Sequence, residues 1–266
     1  MLLREAENLP KEAQKKKNDF FRRLSRAHSR ALLLDYDGTL APFQVDRDHA
    51  EPYPEIPALI DRILSSTNTR VAIATGRCAK EIPELIGIHG IETWGCHGME
   101  RLYANGTYEM AKLDAQVQQR IAEIKERLAK EGLSEMLECK PTGIAVHWRG
   151  RLSAADVTSK VRKAWLMSAG EGVNLIRFDG GLEIRAAGKN KGDIVRTVLG
   201  EMGKKAAISY LGDDQTDEDA FAALQGFGLG VLVQSEYRPT VADAWVRPPE
   251  GVIAFLQNWI CACGGE

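Results

Sequence analysis

No apolar run in the 266-residue chain approaches the roughly 20 residues that cross a bilayer, so no membrane span is expected. Charge of either sign is scarcely in excess. The 35 Lys and Arg against 37 Asp and Glu leave −2, which gives no electrostatic ground for nucleic acid or an anionic membrane as partner. Cysteines are few and odd in number: five, at 78, 96, 139, 261 and 263. They are too sparse for a disulfide framework, so a reducing cytoplasm is the expected setting. The pair in Cys261-Ala262-Cys263 beside a Gly-rich tail makes a poor metal site, and a frayed terminus is expected there. The opening residues turn polar at once and form no signal-peptide core. Internal repeats and low-complexity tracts are also lacking. The remaining composition, 44% hydrophobic and 27% charged, suits a globular chain of one large or two modest domains.

Clustered carboxylates stand out against that background. Asp35-Tyr36-Asp37-Gly38-Thr39 follows the apolar run 31–34, and Gly212-Asp213-Asp214-Gln215-Thr216-Asp217-Glu218 follows the run 206–211. Like charges held close repel, and burying them unpaired is costly. A bound cation resolves the conflict, and hard oxygen ligands suit Mg²⁺.

The pattern along the chain places these clusters. Residues 1–30, with Lys15-Lys16-Lys17 and Phe20-Phe21-Arg22-Arg23-Leu24, read as a solvated helix whose charge run is an exposed face. A strand (31–35), a loop with four prolines, a helix (57–66), a strand (70–74) running into Thr75-Gly76-Arg77, and a strand (93–96) closing on His97-Gly98 follow. This rhythm predicts an α/β, Rossmann-like core: a parallel sheet with helices on both faces. The rhythm then changes. Leu113, Val117, Ile121, Ile124 and Leu128 predict an amphipathic helix, and 143–149 predicts a strand with His147 and Arg149 opposite its apolar face. A second helix carries Val157, Val161 and Trp165, and strands at 174–178 and 182–186 meet at the turn Asp179-Gly180-Gly181. Residues 107–187 are therefore expected to form an inserted α+β domain within a core of residues 1–106 and 188–266. That core resumes with a helix (192–202), strands (206–211 and 228–233) and a closing helix (251–260).

Every suspicious cluster falls at the carboxyl end of a predicted strand, where open α/β sheets bind ligands. Asp35 and Asp37, two apart, can address one site. A carboxylate nucleophile on phosphorus gives an aspartyl-phosphate, and a protonated Asp37 can serve the departing oxygen and then activate water. Thr75 can offer a hydroxyl and nearby N–H groups to a phosphate. Lys191 opens a helix, where its charge opposes the dipole, so another group should want it; Lys189 is its rival. Asp213 would complete a Mg²⁺ site with Asp35 and the Asp37 carbonyl. Asp214 could be a direct ligand, could stand behind one, or could hold Lys191. Asp217 sits where acidic residues favour a helix start in any case.

Together, Asp35-Tyr36-Asp37-Gly38-Thr39-Leu40, Ala74-Thr75-Gly76-Arg77, Lys191-Gly192 and Gly212-Asp213-Asp214-x-x-Asp217-Glu218 resemble the four motifs of the haloacid dehalogenase phosphatase superfamily. The stretch from Tyr210 to Phe221, Gly95-Cys96-His97-Gly98-Met99-Glu100 and Gly188-Lys189-Asn190-Lys191-Gly192 are similar to patterns of trehalose-6-phosphate phosphatases. The likeness spans roughly residues 28–260. One departure is Thr75, where that family more often has Ser. The resemblance implies an α/β cap in the insertion, Asp35 as nucleophile, Asp37 as acid/base, Thr75 and Lys191 as phosphate clamps, and Asp35, Asp37, Asp213 and Asp214 around Mg²⁺. It implies a small sugar phosphate as ligand, with trehalose 6-phosphate first and sucrose 6-phosphate or glucosyl- and mannosyl-phosphoglycerate as alternatives. An inactive sugar-phosphate-binding sensor is the rival reading from another class, and the intact Asp35/Asp37 pair argues against it. A pathway partner, a trehalose-6-phosphate synthase, is also implied. Arg77, His97, Gly98, Lys140, His147, Arg149 and Glu183 are the candidate substrate contacts, although His97 equally suits a core histidine.

Overall fold

The computed structural model describes residues 2–44, 46–148, 154–168, 171–178, 180–203 and 205–264, without the side chains of residues 2–11. Two compact units emerge: residues 1–109 with 190–266, and residues 110–189. None of the described helices is long and apolar enough to cross a membrane.

The first unit is built on strands β1 (Arg30–Leu34), β2 (Thr69–Ala74), β3 (Glu92–Gly95), β4 (Glu100–Leu102) and β5 (Tyr108–Met110). After the second unit's four strands the chain adds β10 (Ala207–Gly212), β11 (Leu229–Val233) and β12 (Ala244–Val246). They form one eight-stranded sheet in the order β12-β11-β10-β1-β2-β3-β4-β5. Pairing is parallel from β12 to β3 and antiparallel between β3 and β4. Leu32, Leu33 and Leu34 are fully buried, as expected for a parallel strand covered on both faces. Leu32 and Leu34 pack with Val71, Ile73 and Leu211 on one face; Ala31 and Leu33 pack with Ala72, Ile208 and Tyr210 on the other. The register sets Leu34 beside both Leu211 and Ile73, so Asp35, Gly212-Asp213 and Ala74-Thr75 leave the sheet at neighbouring points. The Asp35 amide fastens this by donating to the Leu211 carbonyl at 2.9 Å.

Helices α1 (Leu2–Arg26), α2 (Ile56–Ser66), α3 (Ile82–Ile86), α6 (Lys191–Met202), α7 (Glu218–Leu224) and α8 (Glu250–Ala262) belong to this unit. Two expectations are corrected. The first helix is not merely solvated: Phe20 and Leu24 are buried, and Phe20 meets Trp259 of α8 at 5.9 Å between ring centroids. The tail at 261–263 is not frayed either, because α8 runs through Ala262 and the Cys263 amide donates to the Trp259 and Ile260 carbonyls.

The second unit holds α4 (Ala115–Lys130), β6 (Leu137–Lys140), β7 (Gly143–His147), α5 (Ala154–Met167), β8 (Val173–Phe178) and β9 (Gly181–Ala186). Its strands form an antiparallel sheet in the order β6-β7-β9-β8. Ile144, Val146, Leu182 and Ile184 form its core with Ile124 and Leu128 of α4 and Val157 and Val161 of α5. By the two-residue alternation, Glu138, Lys140, His147, Glu183 and Arg185 share the opposite face. Strand β6 was not foreseen, and the strand expected over 143–149 ends at His147. Arg149 and Asp179 lie outside the described residues.

Candidate active site

Asp35, Asp213 and Asp217 each offer a carboxylate oxygen within 4.8 Å of the others, all buried. Lys191 is the cation among them, with Nζ 2.8 Å from Asp35 Oδ1 and 2.7 Å from Asp217 Oδ1. It begins α6 because Asn190 caps that helix in a reciprocal box with Asp193. Burial alone would lower the Lys191 pKa, but Asp217 and Asp35 outweigh it and hold the ammonium charged. Burial lifts the Asp35 carboxyl to about 7 against the opposing pull of Lys191, with Asp217 adding to the rise. Burial and the charges of Asp35 and Asp217 push Asp213 well above the usual carboxylate range.

The three carboxylates are not equivalent. Asp217 accepts from Lys191 and from the Tyr210 hydroxyl (2.6 Å) at Oδ1, and from the Asp213 and Asp214 amides (3.1 and 2.9 Å) at Oδ2. An ionised carboxylate has about four acceptor positions, so Asp217 is saturated by the protein. Asp213 Oδ1 is the reverse case, buried with no hydrogen-bond partner. An orphaned buried oxygen beside a second carboxylate is costly unless a cation meets it. The donor set is all oxygen and fits a hard divalent ion such as Mg²⁺, with Asp35 and Asp213 as the carboxylates able to take it. Gly38 makes room here: at φ +81°, its place would put a Cβ 2.3 Å from Asp213 Oδ2. Asp214 does local work, its side chain accepting from the Gln215 amide in a capping box.

Asp37 is gripped by Arg77, Nε to Oδ2 and Nη2 to Oδ1, while Arg77 Nη1 donates to the Arg47 carbonyl at 2.7 Å. Thr75 is 1% exposed and its Oγ1 accepts from the Arg77 amide at 3.1 Å, which leaves its hydroxyl hydrogen to donate elsewhere. The His97 amide donates to the Thr75 carbonyl at 2.9 Å, and His97 holds φ +56°. Its Nε2 would stand 2.7 Å from a Cβ on Gly76, so the ring covers that turn. Gly98 packs against the start of α6, beside Ile194 and the Asn190 carbonyl. Arg238, unremarked in the sequence, donates to the Asp213 and Asp214 carbonyls, each at 3.0 Å, and Gln234 donates to the Asp213 carbonyl at 3.1 Å.

In the second unit, Lys140 meets Glu183 at 2.7 Å and Glu138 at 3.7 Å, and His147 Nε2 lies 2.7 Å from Glu138 Oε2. Arg185 Nη1 stands 3.8 Å from Glu183. Three foreseen residues thus share one polar network with two that were missed, Glu138 and Arg185. The alternation about Lys140 and Glu183 was the signal for both.

Known proteins match this architecture. The trehalose-phosphatase family model matches residues 33–243. A trehalose-phosphate phosphatase of Mycobacterium marinum is 30% identical over 240 residues, covering 85% of this chain and 60% of that protein. A bifunctional trehalose-6-phosphate synthase/phosphatase of Thermoproteus tenax is 30% identical over 248 residues, 92% of this chain and 33% of that one. The chain thus spans between a third and three-fifths of the length of these two relatives. The C-terminal domain of Candida albicans trehalose-6-phosphate phosphatase superposes with a TM-score of 0.73 at 21% identity, covering 93% of this chain and 96% of that one. A haloacid dehalogenase-like hydrolase from Bacillus subtilis superposes at 0.62 with 14% identity, covering 86% and 99%. These likenesses show a haloacid dehalogenase-like fold. With its motifs intact and the family match running across most of its length, the chain belongs to the trehalose-phosphatase family.

Proposed function

We propose that this chain is a Mg²⁺-assisted phosphatase that releases phosphate from trehalose 6-phosphate through an aspartyl-phosphate on Asp35. The observation that carries the reading is the buried set in which Asp35 and Asp213, at the carboxyl ends of two adjacent central strands, meet Asp217 and Lys191. The substrate comes from family membership and the names of the relatives.

On this reading Asp35 attacks phosphorus, the phosphorus–oxygen bond to the sugar breaks, and the proton on Asp37 passes to the departing oxygen. Water then attacks the aspartyl-phosphate, Asp37 takes its proton, and Asp35 is regenerated with release of phosphate. Arg77 occupies both Asp37 oxygens, so on this reading one of those bonds opens for Asp37 to reach the departing oxygen. Lys191 orients Asp35 and faces a phosphoryl oxygen, and Thr75 donates its hydroxyl hydrogen to another. When bound, Mg²⁺ offsets the repulsion between carboxylate and phosphate and polarises the phosphoryl group. Asp217 keeps Lys191 charged and fixes the amides around Asp213. The polar face of the second unit's sheet, with Lys140, Glu183, Glu138 and His147, has the charged donors and acceptors that sugar hydroxyls require, and we assign it the role of a cap that reads the sugar.

Phosphate release across a sugar-phosphate panel, with and without Mg²⁺, tests this. Mg²⁺-dependent turnover selective for trehalose 6-phosphate and lost in D35N is expected. Equal rates on sucrose 6-phosphate and the phosphoglycerate esters sink the substrate assignment. Turnover retained in D35N sinks the mechanism.

A further inference from the structure

Away from the acidic cluster, Cys78, Cys96 and Glu100 bring two sulfurs and a carboxylate oxygen within 4.8 Å of one another. The proposed hydrolysis uses none of them. Cys78 follows the Thr75-Gly76-Arg77 turn, Cys96 follows β3, and Glu100 opens β4. The Cys96 amide donates to the Arg77 carbonyl at 2.8 Å, which ties the two cysteine-bearing segments together. Only glycine permits so close an approach: a Cβ at Gly95 would stand 2.3 Å from the Ala79 amide nitrogen and 2.6 Å from Glu100 Oε2. Glu100 is 2% exposed and fixed at both oxygens, by the Ala79 amide and the Tyr108 hydroxyl, each at 2.7 Å. Each oxygen keeps an acceptor position after those bonds. Cys96 is buried at φ +47°, while Cys78 is half-exposed and gives solvent a way in.

We propose that Cys78, Cys96 and Glu100 form a second metal site, for a thiophilic divalent ion such as Zn²⁺. Two sulfurs and one oxygen are a poor set for Mg²⁺ and a good one for Zn²⁺. Zn–S bonds of about 2.3 Å and Zn–O bonds of about 2.0–2.2 Å in a tetrahedron place ligand atoms roughly 3.5–3.8 Å apart, so from separations of at most 4.8 Å no pair need close by more than about 1.3 Å. Both thiols give up their protons to solvent on binding, and a water takes the fourth position on the Cys78 side. Two thiolates and a carboxylate exceed the ion's charge by one. Lys80, with Nζ 4.3 Å from the Tyr108 ring centroid, supplies a cation close by.

The test is a Co²⁺ titration of the whole chain, reduced and saturated with Mg²⁺, with Cys139, Cys261 and Cys263 replaced by Ser. Expected are thiolate-to-cobalt absorption and tetrahedral d–d bands at one ion per chain, displaced by stoichiometric Zn²⁺. C78S and C96S each abolish the charge-transfer band, E100Q weakens binding at least about 10-fold, and D213N leaves it intact. C78S alters a half-exposed side chain, so its melting temperature shows whether loss of the band reflects unfolding. If it does, the reaction of both thiols with a thiol reagent in the unmutated pair decides, with slowing of at least about 10-fold by one equivalent of Zn²⁺ expected. No band, a band that survives C78S and C96S, loss of the band in D213N, or thiols equally reactive with and without Zn²⁺ overturns the proposal.

Discussion

Arg77 holds Asp37 by both carboxylate oxygens, with Nε and Nη2 each 2.7 Å from its partner. The planar guanidinium thereby fixes the rotation of the carboxyl as well as its position. A lysine at 77 keeps the charge but reaches one oxygen and leaves the Arg47 carbonyl without its donor. If Asp37 exchanges a proton as proposed, that step should suffer more than substrate binding. General acid–base catalysis is worth roughly 100- to 10,000-fold, and misorienting the acid forfeits part of it. R77K is expected to lower kcat roughly 10- to 100-fold with a smaller change in KM, measured by steady-state phosphate release. A kcat equal to that of the unsubstituted chain would separate Arg77 from the chemistry.

Asp217 makes a different prediction, about stability. It is fully buried and accepts four hydrogen bonds, one of them from the buried ammonium of Lys191. D217N keeps the shape but removes the charge and sets an NH₂ group against neighbours that are themselves donors. Breaking a buried ion pair at one partner costs about 3–5 kcal/mol. Urea unfolding of D217N should show a loss of that order with an unchanged slope. A loss below about 1 kcal/mol, within the range of an ordinary surface change, would mean that Asp35 alone suffices for Lys191.

The metal-free site should weaken the fold as pH rises. Burial lifts Asp35 to about 7 and Asp213 well above its ordinary value. Both groups therefore bind protons more readily folded than unfolded, where carboxyls titrate near pH 4. Below about pH 4 both states are protonated and no penalty exists; it grows from there and, for Asp35, is complete above about pH 7. In EDTA the melting temperature should fall between pH 5 and 8 more steeply for the unsubstituted chain than for D213N, which lacks one of the repelling charges. Added Mg²⁺ should raise it more at pH 8 than at pH 5. Parallel pH profiles for the two proteins in EDTA would remove carboxylate repulsion as the cause.

The core was legible because parallel strands buried on both faces read as unbroken apolar runs, and Leu32-Leu33-Leu34 is such a run. The acidic residues after it and after β10 could be placed at one edge without knowing the register. Short edge strands were not legible: β12 and β6 span three and four residues, too few for any alternation in them to stand out as a strand. The docking of α1 was hidden because Phe20 and Leu24 stand among Lys and Arg, and only the aromatic face of α8 shows what they are for. Within the site, the pair Asp35 and Asp213 followed from chemistry. The division of labour between Asp214 and Asp217 did not, because both belong to one acidic turn and only the direction of their side chains separates a cap from the partner of Lys191.

Arg238 carries the last prediction, and it concerns the loop that presents Asp213. That residue's carbonyl accepts from Gln234 and Arg238, and Arg238 also holds the Asp214 carbonyl and pairs with Glu218. These bonds reach the backbone and not the carboxylate, so they set where Asp213 points without touching an ion. Groups that orient a metal ligand from behind change metal affinity about 10- to 100-fold when removed. R238A should therefore raise the Mg²⁺ concentration for half-maximal activity by about that factor, while kcat at saturating Mg²⁺ changes far less. R238K, which restores a donor to one carbonyl but not the fork, should fall between the two. Because a merely structural loss would lower kcat and thermal stability together and leave the Mg²⁺ midpoint in place, an unmoved midpoint in R238A rejects the positioning role.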